Sequence, residues 1–135
     1  MRLGGVSREG PALPKQFKPD GWRSVTPRLL TPDVEGTVAF LRSVFDARGE
    51  LNADRPTELL IGDSIVMVSH GGGVREAMPT FLYVYVEDAD ATYGRATDAG
   101  AETVEPPTDT PYGDRRATVK DRWGNTWQIA TRQER

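Results

Sequence analysis

The chain has 135 residues, a formal net charge of −3, 37% hydrophobic and 27% charged residues, the make-up of an ordinary globular domain. So small a charge gives no reason to expect nucleic acid or an anionic membrane as partner, and no apolar run is long enough to span a bilayer. With no Cys and one His, His70, disulfides, thiolate chemistry and a multi-imidazole metal site are excluded, and a Ser-His-Asp triad would have to be built on that single residue.

The length suits one domain or two small halves sharing a core. Residues 1–21, rich in Gly, Pro and basic side chains, show no periodicity and read as a flexible tail. The N-terminus lacks the apolar stretch of a signal peptide, so a cytoplasmic location is expected. Ser24–Thr31 reads as a first strand, made irregular or edge-like by Pro27. Asp33 stands at an N-cap, and Val34, Val38, Leu41, Val44 and Phe45 recur at helical spacing until the segment ends near Ala47. Three short strands follow, over about 48–52, 57–61 and 64–69, with Gly62-Asp63 as a hairpin turn and His70-Gly71-Gly72-Gly73 as a connector.

The order then restarts. Pro79–Val86, rich in aromatic and β-branched residues, predicts a strand, and Asp88 caps a helix that runs to Ala99 and stops at Gly100. A short strand near 102–104 leads through Pro106-Pro107 into an irregular loop ending at Gly113. Asp114–Lys120 and Asn125–Thr131 form the last hairpin around Asp121-Arg122-Trp123-Gly124. Residues 62–68 echo residues 124–130, Gly-Asp-Ser against Gly-Asn-Thr, each followed by a four-residue strand. Both halves therefore read β-α-β-β-β, with amphipathic helices that each cover one sheet face.

Several segments carry a family likeness: Val25-Thr-Pro-Arg-Leu29, Leu82-Tyr-Val-Tyr-Val-Glu-Asp88, Tyr112-Gly-Asp-Arg115 and Asp121-Arg-Trp-Gly-Asn-Thr-Trp127. Over about residues 22–131 they resemble the vicinal oxygen chelate superfamily of glyoxalase I, bleomycin-resistance proteins and extradiol dioxygenases, and within it the PhnB-like branch. The resemblance implies an α+β fold: two βαβββ repeats (22–70 and 79–131) forming a cupped eight-stranded mixed sheet with helices on its outer face, residues 132–135 being a tail. It also implies a homodimer. In metal-dependent members four inward side chains hold a divalent ion; carried over by register these fall on Thr26, Val66, Phe81 and Gln128. Only Gln128 could bind such an ion, and a lone neutral amide is a poor ligand for it, so neither a catalytic metal nor any other cofactor is expected.

Strand alternation then assigns side chains to the cup. Leu82, Val84 and Val86 suit packing beneath a helix, which turns Phe81, Tyr83 and Tyr85 to the cavity. By the same rule Val25, Leu29, Thr31, Trp127 and Ile129 face the helices, and Thr26, Arg28, Leu30, Thr126, Gln128 and Ala130 face inward, joined by Arg116, Thr118 and Lys120. Aromatic walls with a few polar groups describe a site for a planar or conjugated organic molecule. Arg28, Phe81, Tyr83, Tyr85, Tyr112, Arg116, Thr118, Trp123 and Gln128 are the candidate contacts. Arg28 suits a ligand carboxylate or ring. His70 is a general base at the rim or, the favoured reading, an exposed loop histidine. The Tyr112–Arg115 segment is a lid or a structural turn in which Asp114 or Asp121 pairs with an arginine, and Trp123 is a dimer contact or a pocket wall.

Three functions compete. The first is a metal-independent binding protein that sequesters a drug or metabolite. The second is a metal-free lyase, isomerase or cyclase using Tyr83, Arg28 or His70, and the third a non-catalytic structural dimer with a filled cup.

Overall fold

A computed structural model describes residues 16–71 and 75–133. The elements are β1 (Arg28–Thr31), α1 (Val34–Phe45), β2 (Thr57–Ile61), β3 (Ser64–His70), β4 (Phe81–Tyr85), α2 (Ala89–Asp98), β5 (Glu102–Asp109), β6 (Asp114–Lys120) and β7 (Thr126–Arg132). They form a three-stranded sheet of order β1-β3-β2 and a four-stranded sheet of order β4-β7-β6-β5. In each, the strand before the helix pairs parallel with the last strand of its half, and the remaining pairs are antiparallel. The α+β architecture built twice from one unit is the one expected.

Among the described residues seven strands stand where eight were expected. The segment 48–52 contributes a single bridge, Arg48 to Leu60, made by both backbone hydrogen bonds (2.7 and 3.0 Å). Gly49 then turns away at φ 146°, its Cα packed so closely on the Glu58 carbonyl that a Cβ would collide with it. The first strand is also shorter than expected. It begins after Pro27, which has no N–H to pair although its carbonyl accepts from Met67 N (2.9 Å). Val25, placed with the helices by alternation, is instead 83% exposed, since alternation holds only where a strand exists. Conversely β5 continues through Pro106-Pro107 to Asp109, accommodating them with two register shifts. It is an edge strand, where a missing donor costs little.

Both helices start as the capping rule requires: Asp33 accepts from Gly36 N (2.9 Å) and Asp88 from Ala91 N (3.1 Å). Val38, Leu41 and Val44 of α1 are buried with Leu29, Leu59 and Val68, and Trp127 and Ile129 are buried in the second half. The halves meet in one core. Phe45 lies 5.3 Å (centroids) from Trp127, and the Arg95 guanidinium on α2 donates to the Val44 carbonyl at the end of α1 (3.2 Å from Nη2). Among the described residues no helix is long and apolar enough to cross a membrane.

Of the expected tail, residues 1–15 lie outside the described residues, as do Gly72 and Gly73 of the connector and residues 134–135. Residues 19–22 form a hydrogen-bonded turn, Trp22 N to Pro19 O (3.2 Å). Arg132, assigned to the C-terminal tail, belongs to β7 and pairs with Asp114.

Candidate functional site

On the sheet face turned away from the helices, register puts side chains in rows across β4, β7, β6 and β5. Tyr83 stands beside Gln128, then Thr118, then Glu105; Tyr85 stands beside Ala130, Arg116 and Thr108. Phe81 (65% exposed), Tyr83 (37%) and Tyr85 (61%) point to this open face, while Leu82, Val84 and Val86 pack on the core. The expected division of β4 therefore holds residue by residue. The rings of Tyr83 and Tyr85 lie 5.4 Å apart at 59°.

The hub of the face is Asp114, which the sequence reading offered only as an ion-pair partner. It is completely buried, and its Oδ2 accepts both phenol hydroxyls, Tyr83 at 2.6 Å and Tyr85 at 2.7 Å. Oδ1 lies 3.3 Å from Arg132 Nη1, which also donates to the Tyr112 carbonyl (2.8 Å). Those phenol bonds, with Arg132 adding to them, outweigh desolvation and hold the Asp114 carboxyl below the usual carboxylate range. Tyr83 is pushed well above the ordinary phenol range, chiefly by desolvation and then by its bonds to Asp114 and Tyr112; Tyr85 is raised mainly by its bond to Asp114.

The direction of each hydrogen bond along this network follows from chemistry. Arg116 can only donate, and does so from Nη1 to Tyr112 Oη (2.7 Å). An ionised Asp114 can only accept. Tyr112 must then give its own proton to Tyr83 Oη (3.2 Å), and Tyr83 gives its proton to Asp114. On its other side Arg116 Nη2 donates to Glu105 Oε1 (2.9 Å), which also accepts from Thr118 Oγ1 (3.0 Å); Gln128 Nε2 reaches Thr118 Oγ1 at 3.4 Å. Arg116 Nε is the one buried side-chain polar atom without a partner among the described residues.

This protonation pattern has a measurable consequence. Both phenols have raised pKa values in the fold, so the stability they confer is fully present below the unfolded value of about 10 and is lost as pH rises through the folded values. In an ultraviolet pH titration, the tyrosinate absorbance missing from a Tyr83→Phe/Tyr85→Phe double variant should develop above pH 10 in the parent. A missing step centred at or below 10 would show that the phenols are not held as described.

Other candidates fall elsewhere. Arg28 donates from Nε to Ser69 Oγ (3.0 Å) on the first sheet. With exposed His70, Asn52 and Arg55 it lines a depression of about 570 Å³ bounded by residues 51–56 and the start of α1. Among the described residues neither Arg28 nor His70 hydrogen-bonds to the phenol network. Tyr85 lines a cleft of about 640 Å³ between the halves, with Phe45, Leu60 and Ile61. Trp123 is not on the open face. It packs edge-on to Phe40 (6.4 Å) and against Gly36 of α1, on the helix side, because Asp121 folds the turn back onto the core. Among the described residues Asp121 pairs with no arginine; its carboxylate accepts from Trp127 Nε1 (2.9 Å), Asn125 Nδ2 (3.0 Å) and two backbone N–H groups.

The four positions carried over for a metal need one correction. Val66 is buried toward the helices, and Met67, the register partner of Arg28, takes the open-face position on β3. Thr26, Met67, Phe81 and Gln128 do not make a donor set for a hard or borderline divalent ion, and no three His, Cys, Asp or Glu side chains converge among the described residues.

The repeated sheet order and its buried faces are matched by comparison with known proteins. Residues 24–129 fit the family model of the Glyoxalase/Bleomycin resistance protein/Dioxygenase superfamily. The chain belongs to that superfamily. Among solved structures, TioX from Micromonospora sp. ML1 is 30% identical, with a TM-score of 0.67 over 79% of this chain and 96% of TioX. Fosfomycin Resistance Protein FosX from Mesorhizobium loti is 25% identical, with a TM-score of 0.60 over 81% and 90%. An uncharacterised Mycobacterium bovis protein is 35% identical over 79 residues, 58% of this chain and 48% of the relative, so the match spans about half of that relative's length. On the open face of the second sheet β7 carries no carboxylate, and the carboxylate of Asp114 is sunk beneath two phenols.

Proposed function

We propose that this superfamily member binds a planar or conjugated organic molecule without a metal and sequesters it unchanged. The observation that carries the reading is the committed chain from Arg116 through Tyr112 and Tyr83 to Asp114, which presets two phenol rings as a stacking surface at no cost in reorganisation. The same chain speaks against the lyase or isomerase alternative. An acid–base catalyst works best with a pKa near the operating pH, whereas Tyr83 is raised and Asp114 lowered, both away from neutrality. The fosfomycin resistance protein among the structural relatives supports a resistance-type role. The residues quoted for the PhnB-like likeness support that branch. Phe81 and Met78, both more than half exposed, support a homodimer that covers part of the open face.

The test is one incubation read twice. The protein is mixed with a panel of aromatic natural products, thermal shift is followed, and the compounds are then recovered for mass spectrometry, with and without EDTA. A ligand at a hundred times its Kd adds about 2.7 kcal/mol, a shift of several degrees in a domain of this size. A shift with the compound intact in both conditions is expected. Consumption of the compound would replace this reading with an enzymatic one, and loss of activity with EDTA would restore a metal.

A further inference from the structure

We propose that the cleft between the two halves selects planar ligands that present a cationic nitrogen with N–H donors to Tyr85 Oη. This deepens the binding reading above and rests on it. The argument begins with the hydrogen-bond directions. Tyr83 Oη is satisfied on both sides, giving its proton to Asp114 and receiving one from Tyr112. Tyr85 gives its proton to the same Asp114 oxygen and receives nothing from any described residue. Its remaining lone pairs are therefore acceptors only, because the one proton is already committed. A ligand atom meeting that oxygen gains a bond by donating and meets repulsion if it is a carboxylate.

The surroundings favour the same sign. The cleft of about 640 Å³ is large enough for a tricyclic aromatic and has Phe45, Leu60, Ile61 and the Tyr85 ring among its walls. Of its charged side chains, Arg48 is paired with Asp46 (3.0 Å), and Arg95 is bound to the Val44 carbonyl and to Thr92 Oγ1 (2.9 Å). Among the described residues Glu87 and Asp88 have no basic partner, the Asp88 carboxylate serving as the α2 cap. The lining thus carries three carboxylates, Asp46, Glu87 and Asp88, against two guanidiniums, a formal charge of −1. A phenol whose hydroxyl leans on a buried carboxylate also offers an electron-rich face to a cation.

The test compares two tricyclic probes of the same outline and opposite charge, proflavine and anthracene-9-carboxylate, by fluorescence titration. Titrations at about 0.15 M and about 0.5 M NaCl separate local contacts from long-range attraction by the net charge of −3, which the higher salt screens. Proflavine is expected to bind at least tenfold more tightly at both salts. Tyr85→Phe should cut that preference about tenfold while circular dichroism shows an unchanged fold. Glu87→Gln, on an exposed side chain, should weaken proflavine severalfold and leave the anion unaffected or improved. Equal or tighter binding of the carboxylate, or a preference unmoved by both variants, would overturn the proposal while leaving the binding reading in place. Failure of both probes to bind would remove the two together.

Discussion

Asp121→Ala should lower the unfolding free energy by about 3 kcal/mol or more, since it leaves several buried donors unpaired at about 1–3 kcal/mol each. The carboxylate closes the last hairpin from within. Oδ1 takes the backbone N–H of Trp123 (3.0 Å) and Asn125 (2.9 Å), and Oδ2 takes Asn125 Nδ2 (3.0 Å) and Trp127 Nε1 (2.9 Å). Asp121 and Asn125 are each 3% exposed and Trp127 is fully buried, so water cannot replace the lost acceptor without opening the core. Asn125 extends the effect to the neighbouring strand, because its Oδ1 accepts from Thr80 N (2.9 Å), just before β4. Urea denaturation should show a lower midpoint at an unchanged m-value. Trp127→Phe should cost less in that background than in the parent, a coupling of about 0.5–3 kcal/mol, because one stranded donor is removed with it. A change below about 1 kcal/mol in Asp121→Ala would mean that the turn is held by its backbone alone.

Asp114→Asn should loosen the phenol face and weaken ligand binding by about tenfold, the effect of one good hydrogen bond to a charged group. An amide has one acceptor oxygen where the carboxylate has two. Placed toward the phenols, the oxygen leaves the NH₂ facing Arg132 Nη1, donor against donor; placed toward Arg132, it sets the NH₂ against two hydroxyls that now donate to Asp114. Tyr83 and Tyr85 should then titrate closer to the ordinary value of 10.0, since their raised pKa values draw on the carboxylate. The acid limb gives an independent check. Because the folded Asp114 value is lowered, its contribution to stability is present above the unfolded value of about 3.9 and disappears as pH falls through the folded value. The difference in Tm between the parent and Asp114→Asn should thus be full at neutral pH and shrink below pH 4. A difference independent of pH would show that the carboxylate charge is not what holds the phenols.

Much of this was legible in the chain itself. Asp33 and Asp88 precede apolar positions at helical spacing, and a short side chain that accepts from the first free N–H groups does the same in any context. Alternation sorted β4 and β7 correctly because both are regular strands with one face against the core. It failed at Val25 and for the segment 48–52, where Pro27 and Gly49 interrupt the pleat on which the rule depends. Asp114 was within reach of the same rule, since it shares the face of Arg116 and Thr118, but it sits where loop becomes strand and a sequence reading stops short there. Glu105 was hidden by Pro106-Pro107, which look like a loop and prove to be an edge strand with two register shifts.

The repeated unit, the two caps, the core faces of β4 and β7 and the superfamily were all legible in the chain, because each depends on residues close together in it. Which open-face residues meet was decided only by tertiary structure. Tyr83, Tyr85, Tyr112, Asp114 and Arg132 come from three strands and a loop, and their hydrogen bonds depend on a parallel pairing of β4 with β7 that no local pattern encodes. The same holds for the depression that Arg28 and His70 line together, and for the seating of Trp123 on α1. Periodicity says which way a side chain points; only the packing of distant segments says what it meets there.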